Sequence, residues 1–223
     1  MSGPASGDDV VLWGAGTMRT HRTLWLAREL AIDYQHRPIG SRTGETMTPE
    51  FLELNPRHKI PVMTHGDLVL TESAVILNYL TEAFPVPDNF FVPDDPATRA
   101  KMFEWCFFTM TELDANALYT MRRHGDLKDI YGDAPEAVRA GEAYFHHQID
   151  AMEGRIRGAG AFLMGERISI ADILFTSCLD WARFYKLALP DYLSAYQARL
   201  GDRPAYRESF AENYPGRSVE EVR

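Results

Sequence analysis

With 223 residues, 45% of them hydrophobic and 25% charged, the chain has the length of one large domain or two small ones and reads as globular rather than disordered. Its 23 basic and 32 acidic side chains leave a formal charge of -9, which disfavours nucleic acid and anionic membranes as partners, and no apolar run reaches the ~18 residues of a membrane span. The opening MSGPASGDD has neither a basic nor an apolar region, so residues 1–9 read as a flexible tail rather than a signal or transit peptide, with the cytoplasm as the expected location.

A short β-rich run at 10–13 leads into a Gly-rich turn, Gly14 and Gly16. Apolar residues then recur with helical spacing over 18–32, with Leu24, Leu26, Ala27, Leu30 and Ala31 as the inner face. Residues 34–38 read as a second strand. Thr48-Pro49-Glu50 is a helix start, a hydroxyl cap followed by proline at the first helical position, and that short helix stops at Asn55-Pro56. Two strands, 60–63 and 68–70, flank a His65-Gly66-Asp67 turn, as in a hairpin. Glu72-Ser73 opens a helix that ends near Phe84. The stretch that follows carries Pro85, Pro87, Pro93 and Pro96, a composition suited to an inter-domain linker. Beyond it the pattern is helical, at about 96–124, 135–158, 169–187 and 190–211. The fold class is thus α/β followed by all-α: a β-α-β-α-β-β-α domain over 10–84, a linker over 85–95, and an all-helical domain over 96–223. Cys106 and Cys178 fall in apolar helical patterns and read as buried thiols, with a disulfide as the less favoured alternative.

The turn Gly14-Ala15-Gly16-Thr17-Met18-Arg19 lies between a strand and a helix, which raises a dinucleotide fingerprint. Arg19 stands where a third glycine is needed, and the second strand ends in Arg37-Pro38 rather than an acid, so that reading fails. Thr17-Met18-Arg19-Thr20 instead has the spacing of a thioredoxin-type Cys-x-x-Cys at a helix N-terminus, with hydroxyls in both cysteine positions. Such a protein has no redox thiol of its own, but it could donate hydrogen bonds to a ligand's thiolate, whose unperturbed pKa is ~8.5. Thr17 as a helix cap alone is the competing reading, and the two are compatible.

Ile60-Pro61 puts a proline at a strand start. In thioredoxin-like domains that proline is cis and turns the preceding residue's backbone towards an extended ligand; a trans proline on an edge strand is the alternative. About a dozen residues on, Glu72-Ser73 brings a carboxylate and a hydroxyl to a helix N-terminus. The helix end and Ser73 suit a carboxylate and Glu72 suits an ammonium, which together match an α-amino acid.

With Thr17, Ile60-Pro61 and Glu72-Ser73 quoted, the chain over about 10–210 resembles the cytosolic glutathione transferases, as a bacterial-type member with a hydroxyl at the activating position. A second mark is Gly165-Glu-Arg-Ile-Ser169-Ile-Ala-Asp172, where Ser169 and Asp172 form a capping-box variant like the family's buried, structural N-capping motif. The resemblance implies glutathione as co-substrate and no metal. It implies the thiol activated by Thr17, with Thr20 and then Arg19 next in order, and the tripeptide held by Lys59, Ile60, Pro61, Glu72 and Ser73. The family often has Gly where His58 stands. The helix from Pro96 would line the site of a small hydrophobic electrophile, with Phe107, Met110 and Asp114 at i, i+3, i+7 on one face; Arg122 and Arg123 could hold an anionic acceptor. That aromatic and Met-rich stripe reads as core more readily than as pocket, and the helix is long enough for both. Adjacent His146 and His147 point apart, which argues against a metal site. The resemblance further implies a homodimer through the helices from Ser73 and Pro96, and a role in detoxification. The expected activity is glutathione transfer; the alternatives are a glutathione-dependent lyase or isomerase, or a non-catalytic binding or scaffold protein of the same fold.

Overall fold

The computed structural model describes residues 9–219. The expected tail over 1–9 lies outside them apart from Asp9. The described residues group into two compact units, 9–90 together with 198–219, and 91–197.

The first unit is built on a four-stranded sheet of order β2-β1-β3-β4. Its strands are β1 (Val10–Ala15), β2 (Gln35–Gly40), β3 (Val62–His65) and β4 (Leu68–Thr71). β1 pairs parallel with β2 and antiparallel with β3, and β3 pairs antiparallel with β4 across the Gly66-Asp67 turn. Along β1 the burial alternates with the strand period of two, which turns neighbouring side chains to opposite faces. Val10 and Leu12 are fully buried. Trp13, on the other face, packs edge-on against Phe51 with ring centroids 6.2 Å apart, in a cluster with Ile60 and Val62. The β1–β2 register shifts between Trp13 and Ala15, where Gly14 takes a φ of +116°.

Three helices follow the strands: α1 (Met18–Glu29), α2 (Pro49–Leu54) and α3 (Ser73–Ala83). Each starts where the local chemistry directs it. Thr48 caps α2 by accepting from the Phe51 N–H, and Pro49 supplies the first helical position. The helix expected over 18–32 stops at Glu29 because Ala31 adopts a left-handed φ of +51° and reverses the chain. The strand expected at 60–63 begins only at Val62, since Pro61 has no N–H to give a ladder.

One boundary differs more deeply. The expected helix at 190–211 is two, α9 (Asp191–Gly201) and α10 (Pro204–Asn213), because Pro204 cannot continue α9 and instead opens the next helix. The helical domain expected to run over 96–223 is correspondingly divided, and its last stretch groups with the first unit. The reason is packing. Tyr206 and Phe210 of α10 are buried against His21 and Trp25 of α1, and Arg203 pairs with Glu29 through both of its oxygens at 2.6 and 2.7 Å.

The second unit holds α4 (Pro96–Phe108), a π-helical segment (Thr109–Leu118), α5 (Tyr119–His124), the short α6 (Lys128–Tyr131), α7 (Pro135–Gly158) and α8 (Ile170–Phe184). The single helix expected over 96–124 is α4, the π-helical segment and α5 in succession, those expected at 135–158 and 169–187 are α7 and α8, and α6 had no sequence signal. α8 is buried along nearly its whole length, with Ile173, Phe175 and Leu179 fully enclosed, and α7 turns Phe145, Ile149 and Ile156 inward. At the start of α8 the capping box is present. Asp172 accepts from the Ser169 N–H and hydroxyl at 2.8 and 2.7 Å, from the Leu163 N–H at 2.7 Å and from the Tyr196 hydroxyl at 2.6 Å. Both cysteines are buried and unbridged, and burial pushes the Cys106 thiol up to about 12.

Candidate glutathione site

In the first unit the Gly14 turn brings the sequence-marked segments together. A Cβ on Gly14 would stand 2.6 Å from the Thr20 methyl and 2.7 Å from the Ile60 Cβ, so the turn, α1 and the residue before Pro61 meet where only a glycine fits. The Ile60–Pro61 peptide is cis. Ile60 is buried, and among the described residues its N–H and C=O have no hydrogen-bond partner. The approach to it is shaped by Asn55. Its amide nitrogen donates to the Lys59 carbonyl at 2.8 Å, and its amide oxygen accepts from the Arg57 N–H at 3.1 Å. His58, in the position where the family often has glycine, takes a left-handed φ of +56° and sets its Nδ1 3.3 Å from the Thr46 carbonyl. Lys59 is exposed.

Thr17 is the N-cap of α1. Its Oγ1 accepts from the Thr20 N–H at 3.1 Å, while the Thr20 Oγ1 reaches back to the Thr17 N–H at 3.2 Å, a reciprocal box. The two hydroxyls are 3.0 Å apart. Thr20 is fully buried and Thr17 half-buried, as is Arg19.

Glu72 stands before α3 with a φ of +70°, an uncommon conformation for a residue with a side chain, and makes no side-chain cap. The first N–H groups of α3 are therefore left without a side-chain acceptor. The Glu72 carboxylate meets Arg57 Nη2 at 2.7 Å, with both side chains more than half exposed. Ser73 is buried, and its Oγ accepts from Nη1 of the fully buried Arg22 at 3.1 Å. With a lone pair so engaged, the hydroxyl proton of Ser73 can still be donated.

The expected acceptor-site face is not a single face. Phe107 is 66% exposed, Met110 is half-buried and Asp114 is 1% exposed. The cause is the π-helical segment from Thr109, whose wider turn rotates Asp114 away from the stripe that an i, i+3, i+7 count assigns. Arg123 lies over the Tyr131 ring, 4.8 Å from its centroid. Among the described residues no group of three His, Cys, Asp or Glu could hold a metal ion, and no helix is long and apolar enough to cross a membrane.

Sequence reading missed Arg22, Arg57 and Asn213. Asn213 touches the activating turn from α10: its Nδ2 donates to the Thr17 carbonyl at 3.0 Å, and its Oδ1 accepts from the Thr20 hydroxyl at 2.6 Å. No local pattern marks a contact of such sequence separation.

This thioredoxin-like sheet, carrying a hydroxyl at the first helix, a cis-proline and an acid–serine pair, defines a glutathione-transferase-type N-terminal unit. Comparison with known proteins agrees. Residues 9–82 match the family model described as glutathione S-transferase, N-terminal domain, and residues 135–208 match the C-terminal domain. The chain belongs to the glutathione transferase family. It is 31% identical to glutathione S-transferase theta-1 of Bos taurus over 150 residues, 66% of this chain and 62% of that protein, so the match spans less than two thirds of that relative's length. It is 25% identical to glutathione S-transferase A of Pleuronectes platessa over 209 residues, 91% of each chain. Its fold is similar to that of a delta-class glutathione transferase of Nilaparvata lugens, with a TM-score of 0.78 at 23% identity over 93% of this chain and 95% of that one.

Proposed function

We propose that the protein binds glutathione and activates its thiol for attack on small hydrophobic electrophiles. The observation that carries this is the meeting of Gly14, Ile60 and Thr20, with Thr17 boxed to Thr20 and Ser73 tied to α1 through Arg22, within one unit. The Ile60 N–H and C=O would pair with the cysteinyl backbone. The γ-glutamyl carboxylate would take the open N-terminus of α3 and the Ser73 hydroxyl, and its ammonium would take Glu72 beside Arg57. Lys59 would serve the glycyl end.

The Thr17 Oγ1 accepts from the Thr20 N–H and lies 3.0 Å from the Thr20 Oγ1, and its proton would turn from that oxygen towards the sulfur of a bound thiol. Thr20 is spoken for by Asn213 and the Thr17 carbonyl, so its role is to support Thr17 rather than touch the thiol. Donation to sulfur favours the thiolate, the thiol proton leaves to solvent, and the thiolate forms a C–S bond as a leaving group departs with its electron pair. Proximity and orientation supply the rest. Phe107 and Met110 remain candidates for the electrophile side, with Asp114 the weaker for its burial. A homodimer is proposed as well, with half-exposed Val75 on α3 available to an interface.

Calorimetric titration with glutathione, followed by turnover with an activated aryl halide, tests this reading. Millimolar affinity or better with turnover supports it; no binding at millimolar ligand would sink it, and binding without turnover of any electrophile would favour a binding or scaffold role.

A further inference from the structure

The side chain of Asn213 has a single orientation open to it. The Thr17 carbonyl can only accept, so the Asn213 Nδ2 must face it, and the Oδ1 then faces the Thr20 hydroxyl. The backbone of the same residue accepts from the Gly16 N–H at 2.9 Å. Three groups of the activating turn, the Gly16 amide, the Thr17 carbonyl and the Thr20 hydroxyl, are thus gripped by one buried residue at the end of α10. That end is itself anchored without help from the Asn213 side chain. Neighbouring Glu212 accepts from Arg28 Nε and Nη2 at 3.1 and 2.6 Å, from the Tyr34 hydroxyl at 2.7 Å and from His36 Nδ1 at 2.9 Å, while His36 Nε2 lies 3.0 Å from the Gly14 carbonyl.

We propose that Asn213 is a positioning residue for thiol activation, holding the Thr17 turn and the Thr20 hydroxyl so that the Thr17 hydroxyl is presented to sulfur in one orientation. The role is exercised through Thr17 and so rests on the glutathione-activating reading above. Asn213 lies beyond residue 208, where the match to the C-terminal family model ends. The arrangement also separates position from stability. Without the Asn213 amide the Thr17 carbonyl still receives the His21 N–H at 3.1 Å, and the Thr20 hydroxyl still reaches the Thr17 carbonyl at 2.8 Å, so no buried donor is orphaned.

The test is the pH titration of the bound thiol by its ultraviolet thiolate absorbance, alongside the calorimetric Kd for glutathione. In Asn213→Ala the bound thiol pKa rises by about one unit, so that at a pH below it the thiolate fraction and turnover fall ~10-fold while the Kd changes less than about two-fold. Asn213→Asp keeps the acceptor for Thr20 but sets a carboxylate oxygen against the Thr17 carbonyl and a charge near the sulfur, and it raises the thiol pKa further than alanine does. Folded variants with the wild-type thiol pKa overturn the proposal, including the case where melting temperature and Kd alone suffer, which would mark a merely structural residue. The wild-type curve is read first: absence of glutathione binding there, or an unshifted thiol, overturns the activating reading itself, whereas a shifted wild-type thiol with unshifted variants removes only the role of Asn213.

Discussion

His21 of α1 sits in an aromatic box, stacked on Trp25 at 5.8 Å and edge-on to Tyr206 and Phe210 at 5.0 and 5.5 Å. The Ser209 hydroxyl donates to the Tyr206 carbonyl, so His21 Nε2, 3.0 Å from that hydroxyl oxygen, carries the proton, and buried Nδ1 has no partner among the described residues. Protonation would place a charged N–H at Nδ1 in an apolar enclosure beside Arg22. Burial first, and Arg22 after it, lower the His21 pKa from 6.5 to about 3. A folded pKa below the unfolded one means the unfolded chain binds the proton first, so this stability is present above pH 6.5 and lost as pH falls towards 3. Between pH 7 and pH 4 the loss is about 3 kcal/mol. His21→Phe fills the same box, leaves Ser209 its Tyr206 acceptor and removes the titrating group. Urea unfolding of both proteins at pH 7 and pH 4 isolates the effect, because other acid-sensitive groups such as Glu212 are common to both. The phenylalanine variant loses about 3 kcal/mol less than wild type over that interval. Equal losses would refute the reasoning.

Further outcomes follow from individual contacts. Glu72→Gln removes the charge proposed for the γ-glutamyl ammonium and weakens glutathione binding ~10-fold or more by calorimetry, with the melting temperature little changed because the Arg57 pair is exposed. Asp172→Asn sets an amide donor among the four donors that now converge on the carboxylate, and costs about 3 kcal/mol in urea unfolding of the helical unit.

What could be read in advance was what is chemically local. Thr48-Pro49 caps α2, the β-rich run at 10–13 is a strand, and the helix expected at about 135–158 is α7, because each signal lies within a turn or two of its effect. The Ile60-Pro61 and Glu72-Ser73 segments were legible as segments, and the first carries the cis peptide expected of thioredoxin-like domains, whereas the positive φ of Glu72 had no sequence signal. Three further features were not legible. The π-helical segment leaves an apolar pattern that an α-helix fits as well, so Asp114 was counted onto the wrong face. Pro204 lies inside an apolar periodicity that reads as one helix over 190–211, yet its missing N–H splits α9 from α10. Asn213 and Arg57 act on residues far from them in sequence or through an ion pair with no spacing rule, and only the folded chain brings them to the site.

The central claim is that the Thr17 hydroxyl lowers the thiol pKa of bound glutathione, and Thr17→Val tests it most directly, since valine matches threonine in shape and removes the donor, together with the cap that the Thr17 Oγ1 gives the Thr20 N–H. The measurement is the ultraviolet thiolate absorbance of the bound tripeptide against pH, in wild type and variant. The account predicts a wild-type thiol at least about one unit below its free value of ~8.5, and a Thr17→Val thiol returned to near that value with glutathione still bound. A wild-type thiol that titrates at the free value, or a variant that keeps the wild-type shift, would contradict it.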